Sequence, residues 1–135
     1  MPKRIIMDLD NTVCMPCDGD GQSSDPAVKY RNARPVGDVI EQMRAYRRMG
    51  FEIVIATSRN MRTYAGDVDA IRMHTLPVIL EWLSEHDVPF DEVVVGKPWC
   101  GFDGFYVDDR AIRPSEFAAL GYSDVLALIA GETRS

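Results

Sequence analysis

The sequence predicts a single α/β domain built on a doubly wound parallel sheet. Three observations support this fold class: short apolar runs that end in polar residues, amphipathic segments between those runs, and a length of 135 residues of which 46% are apolar and 27% charged. A chain of this length can bury a hydrophobic core without disulfides or a structural metal. We therefore expect one domain that spans residues 1–135.

The first apolar run, Ile5–Met7, leads directly into the acidic stretch Asp8–Thr12. A short apolar run with polar flanks is typical of a buried parallel strand. Ligands of open α/β sheets bind beyond the carboxyl ends of the strands, which is where Asp8 and Asp10 fall. Two acids at such a position are costly unless a cation, a proton or hydrogen bonds compensate their charge. The stretch therefore predicts the edge of an active site.

The segment that follows, residues 13–35, is rich in Gly, Pro, Ser and Asp, and it predicts a loop over the end of the first strand. It is longer than a simple connection between strand and helix needs, and such loops commonly gate or select ligands. Arg31 and Arg34 lie in this loop, where they either meet an anionic substrate or remain solvated surface residues.

Further along the chain, helical and strand patterns alternate. They are, in order, a helix from Pro35 to Gly50, a strand Phe51–Thr57, a helix Ile71–His86, a strand Glu92–Val95, a strand Phe105–Val107, and helix starts at Pro114 and Ser123. Apolar residues of the first helix are spaced to bury one face. Pro77 lies near the start of the second helix or kinks it.

Each of the four predicted strands has polar groups at its carboxyl end. These groups are Asp8 and Asp10, then Thr57 and Ser58, then Lys97, and finally Asp108 and Asp109. In this order and spacing the set resembles the haloacid dehalogenase (HAD) superfamily of aspartyl-phosphate hydrolases, whose DxDxT motif matches Asp8–Thr12. The resemblance covers the whole catalytic core and implies a HAD-like Rossmannoid three-layer sandwich.

The resemblance implies a role for each group, and phosphoryl-transfer chemistry requires the same roles. Asp8 attacks phosphorus and forms an aspartyl-phosphate, while Asp10 protonates the leaving oxygen and later deprotonates water. The Thr57 hydroxyl and the Lys97 ammonium bind phosphoryl oxygens. Mg²⁺ is expected on the Asp8 and Asp108 carboxylates and the backbone carbonyl of Asp10.

Two residues are expected to support these groups. Asp109 is expected to hold a metal-bound water or Lys97. Asn11 stands where the family commonly has glycine, and asparagine tolerates the left-handed backbone conformation at such a position. For all groups to converge, the fourth strand must lie beside the first, which gives the strand order 4-1-2-3. Asp8 then lies at the topological switch point, where the strand order reverses.

The length of the insertion after the first strand bears on the substrate. A cap domain usually encloses the substrate in the superfamily, but here only about twenty residues are inserted, so we expect a minimal cap and an open site. Ser58–Tyr64 and Gly96–Gly104 are similar to segments of small bacterial HAD proteins of capsule and polysaccharide biosynthesis. This similarity implies a small phosphorylated sugar, polyol or related precursor, and a homo-oligomer is a further way to close the site.

Four residues are candidates for substrate contacts. Ser58 offers backbone contacts, and Arg59 or Arg62 can hold a second anionic group of the substrate. Trp99, together with Phe102, either stacks on a sugar face or packs over its own loop.

Composition limits the partners and the location. A net charge of −6 argues against a general nucleic-acid binder, and no apolar run approaches the roughly 20 residues of a membrane span. Asp8 and Asp10 interrupt any signal-peptide core. Three cysteines fit a reducing compartment, so we expect a cytoplasmic protein without nucleic-acid or membrane partners.

Two motifs in the long loop allow other interpretations. Cys14-x-x-Cys17 is half of a zinc site, but the third cysteine and the two histidines show no ligand spacing, so ordinary loop thiols are favoured. Asp18–Gln22 is similar to the start of a calcium loop and lacks the later glycine and glutamate.

Two other functional classes stay open. An open site permits a macromolecular phosphate, at a nucleic-acid 3′ end or on a protein, as the substrate, although the acidic balance disfavours nucleic acid. A non-catalytic phosphoryl-binding module, as in receiver domains, is the other class. Receiver domains lack an aspartate two residues after the one that accepts the phosphoryl group, so the presence of Asp10 favours an enzyme over a binding module.

Overall fold

The structure, a computed structural model, describes residues 3–16 and 30–132. The chain divides into two compact units, Met1–Trp99 and Cys100–Ser135, which are described separately. The predicted α/β class is confirmed, because the first unit contains a small parallel sheet together with helices. The prediction of one domain over residues 1–135 stays a prediction.

Eight elements lie wholly within the described part of the first unit. In chain order they are β1 (Arg4–Met7), β2 (Cys14–Met15), β3 (Arg34–Pro35), α1 (Gly37–Arg48), β4 (Glu52–Thr57), α2 (Val68–His74), α3 (Leu76–Glu85) and β5 (Glu92–Val95). The predicted first three strands are therefore present, and the third has the predicted bounds.

The sheet has the order β1-β4-β5, and both pairs are parallel. Met7 lies opposite Ile55, and Thr57 lies opposite Val95. The carboxyl ends of the three strands therefore meet at one edge, which we call the carboxyl edge. The central strand β4 buries Ile53 and Ile55 on one face and Val54 on the other, as expected of a short apolar run covered on both faces.

Helix α1 packs on β4 with the apolar face that its spacing predicts. The buried residues of this face are Val39, Ile40, Met43 and Tyr46. The chain leaves the helix at Gly50, which has a φ of 94°, a left-handed conformation that glycine adopts without strain.

The predicted single helix Ile71–His86 is wrong, because two helices, α2 and α3, meet at Thr75. Pro77 explains the break: it lacks a backbone N–H and fits only the first turn of a helix, so a new helix begins beside it. Helix α2 packs against both β5 and α3.

The ends of the long loop form a small antiparallel ladder that the sequence did not indicate. Cys14 pairs with Pro35 and Met15 pairs with Arg34. The middle of the predicted loop, with Cys17 and the calcium-like stretch Asp18–Gln22, lies outside the described residues.

The second unit contains α4 (Pro114–Ala119) and α5 (Tyr122–Gly131), close to the two predicted helix starts. The predicted fourth strand does not form in this structure, where Phe105, Tyr106 and Val107 are 79%, 52% and 87% exposed. A three-residue apolar run becomes a strand only when a neighbouring strand satisfies its backbone groups. Across residues 3–16 and 30–132, no helix has the length and apolar character needed to cross a bilayer.

Candidate functional site

The carboxyl edge of the first unit brings together three of the predicted catalytic residues. Asp8 directly follows β1, Thr57 ends β4, and Lys97 lies just beyond β5. The Lys97 Nζ is 3.5 Å from Asp8 Oδ1, and the Lys97 backbone N–H donates to the Thr57 carbonyl at 3.1 Å. These contacts follow from the parallel register, which aligns the strand ends.

The turn after β1 is fixed around one buried carbonyl. The backbone N–H groups of Thr12, Val13 and Cys14 approach the Leu9 carbonyl at 3.2, 2.9 and 3.2 Å. Asn11 has a φ of 64°, so it adopts the left-handed conformation that asparagine tolerates. Such a turn holds the backbone on either side of Asp10 in one conformation. The positions of the Asp8 and Asp10 carboxylates then depend on their side-chain partners.

Those partners differ for the two acids. Asp8 Oδ2 accepts from the Thr12 hydroxyl at 3.5 Å. Asp10 is held more firmly, because Arg59 Nε donates to Asp10 Oδ2 at 3.0 Å and Arg59 Nη2 donates to Oδ1 at 2.7 Å. The Arg59 side chain is 2% exposed and that of Asp10 is 33% exposed. The two residues form a largely buried, two-point ion pair.

Arg59 is itself held from several sides. Its backbone N–H donates to Thr57 Oγ1 at 3.0 Å, and its guanidinium lies 4.1 Å from the centroid of the Tyr30 ring. The Cys14 sulfur lies 3.6 Å from Arg59 Nη2 and 3.5 Å from Asp10 Oδ1. The Asp10–Arg59 pair therefore sits in a cluster that links the first turn, Tyr30 and the end of β4.

The cluster shifts three pKa values. Burial lowers the pKa of Arg59, but the hydrogen bonds and charge of Asp10 outweigh it, and the net direction is upward. Burial, with the nearby Asp10 charge, raises the pKa of Cys14 to about 12. The same two causes raise the pKa of Tyr30. At neutral pH the arginine is therefore charged, and the thiol and phenol are neutral.

A second network fixes the loop after β4. The Thr75 hydroxyl donates to Asn60 Oδ1 at 2.7 Å, and Asn60 Nδ2 donates to the Thr63 hydroxyl at 3.2 Å. Asn60 has a φ of 63°, a conformation that asparagine tolerates better than most residues. The break between α2 and α3 at Thr75 thus supplies the donor that secures the loop carrying Arg59.

The oxygen donors in the first unit suit a hard divalent cation. The Asp8 carboxylate is 40% exposed, and the Asp10 backbone carbonyl comes two residues later at the same edge. Carboxylate, carbonyl and water oxygens are the ligands that Mg²⁺ prefers. Within residues 3–16 and 30–132, no group of three or more His, Cys, Asp or Glu side chains is assembled for a metal. The donor types fit magnesium, and the predicted third ligand belongs to the second unit.

Asp108 and Asp109 are both exposed in that second unit. Asp108 Oδ1 accepts from the backbone N–H of Arg110 at 2.8 Å. Asp109 lines a surface cleft of about 290 Å³ beside α5. Their predicted roles at the metal and beside Lys97 stay predictions.

The four predicted substrate contacts have different surroundings. Ser58 is half-buried, and its carbonyl accepts from the backbone N–H of Met61 at 3.0 Å. Arg62 and Trp99 are exposed, as a substrate-binding residue requires. Arg59 is buried and bound to Asp10, so its guanidinium is not open to a substrate in this structure. The contacts themselves stay predictions.

One known protein is similar along nearly the whole chain. It is a Vibrio cholerae protein whose crystal structure was determined as an MCSG target. It is 54% identical over 97% of this chain and 99% of its own, with a TM-score of 0.86. The chain belongs to the family of this Vibrio cholerae protein. No protein-family profile matches the chain, and no curated protein matches it.

Two more distant likenesses concern the fold alone. A chain of the Pnkp1/Rnl/Hen1 RNA repair complex is 17% identical, with a TM-score of 0.51 over 76% of this chain and 28% of its own. A second structure of the Pnkp1/Rnl/Hen1 complex gives 17% identity and a TM-score of 0.50 over 88% of this chain and 34% of its own. The fold of this chain is thus also found in a part of these two longer chains.

Sequence reasoning missed how Asp10 and Arg59 relate to each other. Both were candidates, but for separate tasks, and they are 49 residues apart in the chain. Cys14 was considered only as half of a zinc site or a loop thiol, and Tyr30, which completes the cluster, was not a candidate. The one available signal was the position of Arg59 two residues beyond Thr57, where the end of a central strand is buried and a cation needs a partner.

Proposed function

We propose that the protein is a Mg²⁺-dependent phosphomonoester hydrolase of the HAD type, acting through an aspartyl-phosphate. The observation that carries this proposal is the convergence at the carboxyl edge, where Lys97 contacts Asp8 and Thr57 ends the adjacent strand. A carboxylate beside an ammonium and a buried hydroxyl supplies a nucleophile and two donors for phosphoryl oxygens.

In the proposed reaction an Asp8 carboxylate oxygen attacks phosphorus in line, and the bond from phosphorus to the leaving oxygen breaks. Asp10, which takes up a proton on Oδ2 beforehand, gives that proton to the leaving oxygen, so the alcohol leaves neutral. Asp10 then takes a proton from water as the water oxygen attacks phosphorus, which releases phosphate and restores Asp8. Thr57 and Lys97 offset the charge on the phosphoryl oxygens in both steps.

In this proposal the Asp8 carboxylate, the Asp10 carbonyl and Asp108 would hold Mg²⁺, which would supply positive charge against the phosphoryl oxygens. Asp109 supports a metal-bound water or Lys97, and Asn11 supports the turn. We further propose the HAD strand order 4-1-2-3, with Phe105–Val107 as the fourth strand. Its apolar residues are exposed, as is Ile6 at 59% on β1, which is an edge strand of the described sheet. Amide hydrogen exchange tests this order, because paired residues 105–107 would be protected.

The substrate we favour is a small phosphorylated sugar or polyol of capsule or surface polysaccharide biosynthesis, hydrolysed in the cytoplasm. Arg62 and Trp99 are exposed, which is compatible with binding an anionic sugar. A guanidinium suits the anionic group, and an indole face suits the sugar ring. An oligomer that closes the site remains part of the proposal.

A phosphate at an RNA end is the second candidate substrate. One similar fold occurs in an RNA repair complex, and this observation favours testing nucleic acid despite the net charge of −6. A basic groove for the nucleic-acid backbone would be needed for strong binding.

The first test is release of inorganic phosphate from p-nitrophenyl phosphate, with Mg²⁺ or with a chelator. A panel of sugar phosphates, nucleotides and a 3′-phosphorylated RNA oligonucleotide follows. Asp8→Asn removes the nucleophile, and Asp69→Asn is the matched control because the Asp69 side chain is 97% exposed on α2. We expect Mg²⁺-dependent release that Asp8→Asn abolishes and Asp69→Asn retains.

The outcomes separate the candidates. Preference for a sugar phosphate supports the favoured substrate, and preference for the RNA end supports the second candidate. Release that is equal in Asp8→Asn and wild type would refute the aspartyl-phosphate mechanism. A protein that releases phosphate from none of these substrates but binds the phosphoryl mimic beryllofluoride would favour the binding-module alternative.

A further inference from the structure

The ion pair between Asp10 and Arg59 has a geometry that a simple charge pair does not need. The guanidinium uses Nε for one carboxylate oxygen and Nη2 for the other, at 3.0 and 2.7 Å. A two-point contact of this kind fixes the plane of the carboxylate as well as its position, which a lysine ammonium cannot do. Arg59 therefore controls the direction in which Asp10 points.

The Arg59 guanidinium also has one unfavourable feature. Arg59 Nη1 is buried and has no hydrogen-bond partner among residues 3–16 and 30–132. A buried donor without a partner is unfavourable, and so is removing a guanidinium from water. Buried polar atoms without a partner are few in native proteins, and a functional role of the side chain that carries them is one explanation.

The contacts also distinguish the two oxygens of Asp10. Oδ1 accepts from Arg59 Nη2 and lies 3.5 Å from the Cys14 sulfur, whereas Oδ2 accepts from Arg59 Nε alone in the described contacts. A carboxylate oxygen has two acceptor positions, and the described contacts use one of the two on Oδ2. The Asp10 side chain is 33% exposed, so the described residues do not close off its carboxylate.

Substrate binding by Arg59 is less consistent with these observations. Its side chain is 2% exposed, its backbone N–H is bound to Thr57, and Tyr30 covers the guanidinium. Asp10 occupies Nε and Nη2, and Nη1 is buried, so an anionic group of a substrate could reach Nε or Nη2 only by displacing Asp10. The observations favour a partner inside the protein.

We infer that Arg59 is a positioning residue that orients the Asp10 carboxylate and keeps one lone pair of Oδ2 open for proton transfer. This inference rests on the proposed phosphatase function and gives Arg59 a role in the chemical step instead of in substrate binding. It also separates Arg59 from Arg62, which is exposed and keeps the predicted role in substrate binding.

The test uses p-nitrophenyl phosphate hydrolysis with Mg²⁺ by the full chain. Arg59→Lys keeps the charge but loses the two-point contact, and Arg59→Gln loses the charge. Arg47→Lys is the matched control, because Arg47 pairs with Asp91 at 3.0 Å near the start of β4, away from the carboxyl edge. Guanidinium chloride at millimolar concentration is added to Arg59→Ala to replace the missing group.

We expect kcat of Arg59→Lys to fall about tenfold to a hundredfold with KM within about threefold, because misorienting a general acid loses part of its contribution of about 10² to 10⁴. Added guanidinium should restore kcat of Arg59→Ala saturably. In the Asp10→Asn background, Arg59→Lys should have no further effect, since two residues that act as a unit are not additive. Arg47→Lys should retain wild-type kinetics.

Two results would overturn the inference. They are an unchanged kcat in Arg59→Lys, whether or not its KM rises, and multiplicative losses in the double variant with Asp10→Asn. If Arg59→Ala does not fold, Arg59→Lys and Arg59→Gln decide the matter through the same split between kcat and KM. A wild-type protein without turnover refutes the proposed function and this inference with it, whereas an active wild type with an unaffected Arg59→Lys refutes the inference alone.

Discussion

Replacing Thr57 by valine separates the two tasks of its hydroxyl. Thr57 is 1% exposed, and its oxygen accepts the backbone N–H of Arg59 at 3.0 Å. The hydroxyl proton is then available to a phosphoryl oxygen in the proposed reaction. Valine has nearly the same shape, so Thr57→Val removes the oxygen without opening a cavity.

The stability change follows from that single contact. Without the oxygen, the Arg59 N–H is buried without an acceptor, and the free energy of unfolding should fall by about 1–3 kcal/mol. With a urea m-value of about 1–3 kcal/mol/M, the unfolding midpoint should drop by about 1 M. Thr57→Ser keeps the oxygen and is the matched control, with a loss of about 1 kcal/mol for the missing methyl group.

The activity change tests the second task. Loss of one donor to a developing oxyanion typically lowers kcat by about 10² to 10³, so Thr57→Val should lose most p-nitrophenyl phosphate hydrolysis while Thr57→Ser retains most of it. Urea unfolding can be followed by fluorescence of Trp82, which is buried. An unfolding midpoint equal to that of wild type would refute the hydrogen bond to Arg59. A lowered midpoint with undiminished kcat would refute the donor role.

Four other predictions concern Cys14, Asn60 and Asn11 of the same unit, and the first of them uses Cys100 as the comparison. The pKa of Cys14 is raised from an ordinary value of 9.0 to about 12, so native Cys14 should resist iodoacetamide at pH 8 while half-buried Cys100 reacts. Equal labelling of the two cysteines in a peptide map would contradict this. Below pH 9 the thiol is neutral in both the folded and the unfolded chain, and the stability that it contributes is fully present. As the pH rises from 9 toward 12 the unfolded chain loses its proton first, so the free energy of unfolding of wild type should fall relative to that of Cys14→Ala. Asn60→Ala should lower the free energy of unfolding by about 2–4 kcal/mol, because it loses the bond from Thr75 and strains a positive φ, with a smaller loss in Asn60→Gly. Asn11→Ala should lower it by about 1 kcal/mol relative to Asn11→Gly, and equal thermal midpoints would contradict the left-handed turn.

The parts of the fold that the sequence predicted are those with strong periodicity. Strand Glu92–Val95 has the predicted bounds, and α1 buries the apolar face that its spacing indicates. The break at Thr75 was signalled only by Pro77, because apolar spacing continues through it. Strand pairing of Phe105–Val107 depends on a distant partner, and local pattern alone does not determine such pairing.

The site was predictable to the level of which strand ends carry polar groups. Parallel strands place those ends at one edge, and the contact of Lys97 with Asp8 agrees with that expectation. Side-chain partners are harder to predict, because rotamer and burial decide them. Arg59 follows Thr57 closely in the sequence, and nothing in the spacing indicates that it turns toward Asp10.

The two acids after β1 required compensation for their charge, and the structure provides it with two cations of different kinds. Asp8 faces Lys97 at 3.5 Å, and both side chains are partly exposed, so this pair is screened by solvent and weakly held. Asp10 faces a buried guanidinium at two points, which holds it firmly. A nucleophile must give up its charge and approach phosphorus, whereas a general acid and base must stay aimed through both steps. The unequal strength of the two pairs therefore fits the proposed division of roles, with the loosely paired Asp8 as nucleophile and the fixed Asp10 as proton carrier.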